Sequence, residues 1–255
     1  MPHWGGGGPG YSVQPSGISI PAPPAGATRV FSDDFPGDSL NMTNWRTPFQ
    51  GTSYSSQNGY YATNHCVITP SIMNLQMYID AQGGGVANGW VGAGVQPQNY
   101  YSALSGDGVH GILVQAALRI DSLYGSTGIG IGTSDAKWPP ELDYLEGGAA
   151  NLHYLVGDSS EQFLLSGAAA AANQSTWHNW GVKLTPATLS FMIDGQVWDS
   201  TPNPSASDQG DAYGLCAPML FGFNFQTGDP NNPSAPNPNV YQMQIDWMTI
   251  DELAS

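Results

Sequence analysis

The densest chemistry in the chain is the run Glu141-Leu142-Asp143-Tyr144-Leu145-Glu146. Glutamate occurs only at positions 141, 146, 161 and 252, so half of the glutamates fall within these six residues. The rest of the run is apolar or aromatic, and carboxylates gathered in such a setting repel one another and resist burial. A fold that keeps them there uses them. In a regular strand positions 141 and 143 share a face and position 146 falls on the other. One extra residue between Asp143 and Glu146 restores the parity and puts all three acids on one face, so the spacing predicts a β-bulge at Tyr144 or Leu145. Two carboxyl groups flanking a bond, kept in different protonation states by their mutual repulsion, supply what cleavage of a glycosidic bond requires. The ionised one attacks or stabilises an oxocarbenium-like centre, and the protonated one releases the leaving oxygen. Taken alone, three acids also read as the solvated face of an edge strand.

The elements that must hold this run are strands. With 33 Gly, 20 Pro and only 10% charged residues, the chain suits short strands and tight turns better than solvent-facing helices, and 40% hydrophobic content is ample for a core. Apolar stretches recur at Met73 to Ile79, Gly111 to Ile120, Gly128 to Ile131, Glu141 to Leu145, Leu152 to Val156, Val182 to Leu184, Leu189 to Ile193, Met219 to Phe225 and Tyr241 to Ile250. Asp194-Gly195, between Leu189–Ile193 and Gln196-Val197-Trp198, predicts a hairpin, because both residue types tolerate positive φ. Gly167 to Ala172 is the one helix-favouring run and is too short to stand alone. Residues 83–102 and 228–239 read as long loops, the kind that form functional rims. Residues 1–27, broken by four consecutive glycines and repeated prolines, read as a tail or linker packing over a domain that spans 28–255.

Charge narrows the partner. Five basic residues against twenty acids leave a net charge of -15, which repels nucleic acid and anionic membranes. Eight Trp and twelve Tyr offer flat apolar faces beside many hydrogen-bonding side chains, a surface suited to neutral carbohydrate. Cys66 and Cys216 do not make a metal cluster but could close one long disulfide loop. No apolar run is long enough to span a membrane, and the start lacks the basic and apolar regions of a secretory signal. Among the histidines, His178 between two tryptophans reads as a hydrogen-bonded structural group, and His65 and His110 lack metal-ligand spacing. Trp177, Trp180 and Trp198 read as core more readily than as sugar platforms.

Lys137-Trp138-Pro139-Pro140 before the acids and Gly147-Gly148 after them resemble the catalytic region of family 16 glycoside hydrolases, whose members carry E-x-D-x-x-E on a bulged strand. Further resemblances follow in order: Phe31-Ser32-Asp33-Asp34-Phe35 with Trp45, Leu152-His153-Tyr154, Trp177-His178-Asn179-Trp180 with Asp194-Gly195, and Ile245-Asp246-Trp247. Together they cover roughly residues 29 to 251. The chain departs from the family at His110-Gly111-Ile112-Leu113-Val114-Gln115, where many members have a Tyr-Gly-Arg-Phe-Glu type segment.

The resemblance implies an all-β, concanavalin-like antiparallel β-sandwich, a jelly roll with a concave glycan cleft. It implies Glu141 as nucleophile, Asp143 as its assistant and Glu146 as general acid and base, with the carboxyls of Glu141 and Glu146 about 5 to 6 Å apart as in a retaining enzyme. Trp138 would be a sugar platform and His153 would reach the same cleft. Trp90 and Tyr101, in a glycine-rich loop, and Gln226 are further candidates for contacting substrate. Asp246 is a candidate ligand for a structural calcium; no cofactor is required. The expected activity is endo-cleavage of β-1,3- or mixed β-1,3/1,4-glucan by an extracellular monomer. The alternatives are a non-catalytic carbohydrate-binding protein on the same sandwich and action on another β-glycan, such as an agar-type galactan or by transglycosylation.

Overall fold

The structure is a computed structural model and describes residues 14–47, 59–79, 90–103, 109–120, 125–128, 131–133, 141–146, 149–156, 160–166, 175–203, 219–227 and 241–254. Strands β1 to β6 are Thr28–Asp33, Trp45–Arg46, Gly59–Tyr61, Cys66–Thr69, Ile72–Ile79 and Trp90–Pro97. Strands β7 to β12 are Val109–Ile120, Gly125–Gly128, Ile131–Thr133, Glu141–Glu146, Ala149–Val156 and Ser160–Ser166. Strands β13 to β18 are His178–Leu184, Thr188–Ile193, Gln196–Pro202, Met219–Phe221, Phe223–Thr227 and Tyr241–Ala254. A single 3-10 turn at Thr63–His65 is the only helical element among the described residues.

Most strands lie on one hydrogen-bonded path, β15-β14-β13-β7-β18-β5-β6-β17-β8, with β1 beside β18, β2 and β3 beside β6, and β4 beside β5. The strands β10-β11-β12 form a second sheet and β16-β9 a pair. Every pairing is antiparallel except β3 with β6. Alternation decides the layers. On β7 the residues Ile112, Val114, Ala116, Leu118 and Ile120 enter the core, and on β18 Met243, Ile245, Met248 and Ile250 do. From the other layer Ala93, Val95, Leu142, Phe221 and Phe223 meet them in the same cluster. The chain is therefore a β-sandwich whose core lies between the β7–β18 layer and the layer containing β6, β10 and β17, as expected.

Two expected elements are corrected. The glycine-rich stretch 83–102 holds β6, because Val91, Ala93 and Val95 alternate with glycine and pack inward as a strand. The run Met219 to Phe225 is two strands, β16 and β17, separated at Gly222. A Cβ at Gly222 would lie 2.3 Å from the carbonyl oxygen of Val95, so only glycine permits that approach. Strand β12, absent from the apolar-run reading, pairs along its whole length with β11. The Asp194-Gly195 turn has the predicted positive φ at both positions, 51° and 78°, and closes the β14–β15 hairpin. The stretches 167–172 and 228–239 lie outside the described residues.

The segment before β1 is fastened to the outer side of β18. The main-chain N–H of Ser16 donates to Asp246 Oδ2 at 2.8 Å, and Trp247 Nε1 donates to the carbonyl of Ile18 at 2.8 Å. Asp246 and Trp247 have no exposed surface.

Candidate active site

Strand β10 carries the acids, and its pairing with β11 shows how. Glu141 stands opposite His153, Leu142 opposite Leu152 and Asp143 opposite Asn151, after which Glu146 stands opposite Ala149. Three steps along β10 thus match two along β11, so one extra residue is inserted at Tyr144 or Leu145. The predicted bulge is present. Leu142 is completely buried in the core, which leaves positions 141 and 143 on the face away from it. The inserted residue returns position 146 to that same face, opposite Ala149. The side chains of Glu141, Asp143 and Glu146 lie outside the described residues, and so does the expected carboxyl separation.

The rows continue across the sheet. His153 faces Phe163 of β12, and Asn151 faces Leu165. On the other flank β10 runs beside β8 and β9. Asn224 of β17 pairs with Gly94 of β6 on one side and Gly128 of β8 on the other, and Gln226 pairs with Ser126. Because Phe223 and Val95 face inward, Asn224, Gln226, Gly94 and Trp90 hold positions on the outward face. The sequence-predicted positions 90, 141, 143, 146, 153 and 226 are thus all assigned to the face away from the core. The glycines at 92, 94 and 128 add no side chains to this part of the sheet.

Trp138 lies outside the described residues. Tyr101 does not stand on an open rim. It is 6% exposed, its main chain exchanges hydrogen bonds with Met219 at 2.7 and 2.6 Å, and its ring packs 6.5 Å from that of Phe221. Burial pushes its hydroxyl up to about 12, with hydrogen bonding to Asn99 opposing the shift. The neighbouring Tyr100 takes a hydrogen bond from Arg46 at 3.1 Å, with the guanidinium 5.1 Å over its ring. Position-based reasoning missed Asn151 and Asn224. Only strand register reveals them, since neither belongs to a motif.

Asp246 is buried with one oxygen on Ser16 N–H, while Oδ1 has no hydrogen-bond partner among the described residues. Burial raises its carboxyl above the ordinary range, the hydrogen bonds from Ser16 lower it, and the charge of Asp34 raises it further. An unpartnered carboxylate oxygen fits an oxygen-seeking cation. Among the described residues, however, no three His, Cys, Asp or Glu side chains are grouped to hold a metal. Cys66 carries no disulfide, and its partially buried thiol is pushed up to about 12 by desolvation.

Trp180, Trp198, His178 and Trp177 make packing or polar contacts within the sandwich. Trp180 is fully buried, and Trp198 packs at the edge of the core against Phe191. His178 bonds through Nδ1 to Asp194 at 2.7 Å and through Nε2 to Thr176 at 2.9 Å. Trp177 lies under the Arg119 guanidinium, 5.4 Å away.

No family model and no curated protein matches the sequence. Solved structures do match over nearly the whole chain. The endo-β-1,3-glucanase of Pyrococcus furiosus has a TM-score of 0.68 at 15% identity, covering 90% of this chain and 95% of that one. The LamA catalytic domain from Zobellia galactanivorans has a TM-score of 0.69 at 16% identity, covering 89% and 98%. SCLam, described as a non-specific endo-β-1,3(4)-glucanase from family GH16, has a TM-score of 0.67 at 14% identity, covering 92% and 94%. At these identities the likeness is one of fold, and the fold is that of the family 16 sandwich.

Proposed function

We propose that the chain is a retaining, endo-acting β-glucan hydrolase that cleaves β-1,3- or mixed β-1,3/1,4-linkages by double displacement. The observation that carries the reading is the one-residue insertion between Asp143 and Glu146, which gives three acids a common face in the strand where the motif requires it. The structural neighbours support the substrate class: one is a Zobellia galactanivorans LamA complex with laminaritriose and laminaritetraose, and another is a Bacteroides ovatus GH16 protein with a mixed-linkage glucan product.

In the first step the Glu141 carboxylate attacks the anomeric carbon while Glu146 gives its proton to the departing glycosidic oxygen, forming a glycosyl ester. In the second, Glu146 takes a proton from water, whose oxygen displaces Glu141 and regenerates both groups. Asp143 orients Glu141, and its negative charge helps Glu146 keep its proton to higher pH. Trp138, Trp90, His153 and Gln226 contact sugar; Tyr101, a member of the core, does not. A Ca²⁺ ion bound at Asp246 would use Oδ1 with main-chain carbonyls and would serve structure, on the far side of the core from the acids.

The partner is a neutral polysaccharide met outside the cell, and the protein acts as a monomer. The charge of -15 disfavours sulfated glycans, nucleic acid and anionic lipid. No helix among the described residues is long and apolar enough to cross a membrane.

The test is a reducing-sugar assay over laminarin, lichenan, agarose and xyloglucan, with Glu141→Gln as control. Laminarin or lichenan should be cleaved, and Glu141→Gln should lose activity roughly a thousandfold or more while still binding glucan. Binding without turnover in the wild type would identify a carbohydrate-binding protein. Near-normal turnover by Glu141→Gln would remove Glu141 as nucleophile.

A further inference from the structure

Asn151 stands directly across the β10–β11 pair from Asp143, on the face assigned to the acids. We propose that Asn151 is a positioning residue for the acid cluster, keeping Asp143 ionised between the two glutamates through its uncharged carboxamide. This rests on reading the cluster as a glycoside-cleaving site.

Directly opposed residues of an antiparallel pair have Cβ atoms about 4.5–5.5 Å apart, a span that a short amide and a carboxylate can bridge. A carboxamide offers two N–H donors and no charge, and a donor to a carboxylate favours its ionised form. The uncharged donor matters because the site has two opposite needs. Asp143 and Glu141 must be ionised while Glu146 holds its proton. A lysine or arginine at position 151 would lower all three acids and strip Glu146, since the field of a charge reaches across the cluster. A hydrogen bond from an amide acts on its immediate neighbour alone. The other residues opposite the acids cannot do this: Ala149, opposite Glu146, has no donor, and His153, opposite Glu141, carries charge when protonated.

The titratable groups assigned to this face are Glu141 and Glu146 on β10, His153 on β11 and Glu161 on β12. The flanking β8 and β9 carry none. Strand β13, in the opposite layer, carries His178 and Lys183.

The direct measurement is a ¹³C-carboxyl NMR titration of the full chain labelled at aspartate, with the Asp143 signal identified by its loss in Asp143→Asn. Asn151→Leu should raise the Asp143 midpoint by about one pH unit, and Asn151→Asp should raise it further by adding a like charge. Asn151→Ser, which keeps a donor and the fold's polarity, should shift it less and carries the test if the leucine variant does not fold. On laminarin, the acidic limb of the pH–rate profile should rise with Asn151→Leu while the alkaline limb stays. In an Asp143→Asn background the same substitution should no longer move the acidic limb.

An unchanged Asp143 midpoint in a folded Asn151 variant overturns the proposal, as does a limb shift that persists without Asp143. The titration needs no turnover, so the two ideas fail separately. An active enzyme with an unmoved midpoint refutes the role of Asn151, and a wild type inactive on every glucan refutes the site reading.

Discussion

Asp33 shows what a carboxylate does in this chain when it is not chemical. It is 6% exposed and accepts three donors, the Phe35 main-chain N–H at 2.8 Å, Trp45 Nε1 at 2.8 Å and Asn44 Nδ2 at 3.1 Å. Asp251, fully buried, is likewise paired by Arg29 through two bonds of 2.8 and 3.0 Å. Both of these buried acids are satisfied by dedicated donors. Cys66 is the opposite case, an ionisable group kept neutral by its surroundings. Its thiol ionises at 9.0 in the unfolded chain and at about 12 when folded. The folded state therefore binds the proton more tightly, and the stability this contributes is present below pH 9 and lost as pH rises from about 9 through about 12. Tyr101, raised from 10.0 to about 12, acts in the same direction. In a Cys216→Ser background, Cys66 should resist thiol reagents at pH 8 until the protein unfolds. Urea melts at pH 8 and pH 10.5 should then show a smaller alkaline loss of stability for Cys66→Ala than for its parent. Rapid labelling of the native thiol, or equal alkaline losses, would contradict the assignment.

Strand register made the site legible where the motif alone could not. The acid spacing already required an insertion between Asp143 and Glu146, since a parity of two leaves no other way to align the three positions, and β10 has it. The hairpin at Asp194-Gly195 was equally legible, because its turn chemistry is local. What the sequence hid was hidden by small residues. Glycines at 92 and 94 disguised β6 as a loop, whereas a strand that is approached closely by neighbours favours them. Asn151 and Asn224 were invisible because a pairing partner some eight residues away, or on a distant strand, leaves no periodic trace. The bulge can be tested as an element. Deleting Leu145 removes the inserted residue and leaves the two glutamates four residues apart, so a regular strand keeps all three acids on one face, whereas deleting both Tyr144 and Leu145 carries Glu146 to the core-side face. Activity should be largely kept in the single deletion and fall as far as in Glu146→Ala in the double deletion, while circular dichroism keeps its β-sheet character in both. Full activity in a folded double-deletion variant would show that a common face does not serve the acids.

At the level of the molecule, the positions assigned to the acids and the fastening of the segment before β1 lie on opposite outer faces of one core. The acids are assigned to the outer face of the β10 layer, while the segment before β1 is pinned to the outer face of β18 through Ser16–Asp246 and Trp247–Ile18. Removing residues 1–24 deletes both fastenings. Asp246 and Trp247, now fully buried, would lose a donor and an acceptor and be opened to water. Each buried polar group left without its partner costs about 1–3 kcal/mol, less where water reaches it, and for a domain of this size about 1 kcal/mol moves the melting temperature by roughly 2–4 °C. The truncated chain should therefore melt several degrees lower. Its kcat/KM on laminarin at 25 °C should match the full chain, because the core separates the segment from the acids and the substrate is uncharged. Calorimetry and initial rates on the same two proteins decide the point. An unchanged melting temperature would mean that the segment does not hold the closing strand, and a large loss of kcat/KM in a still-folded protein would mean that the two faces are coupled through the core.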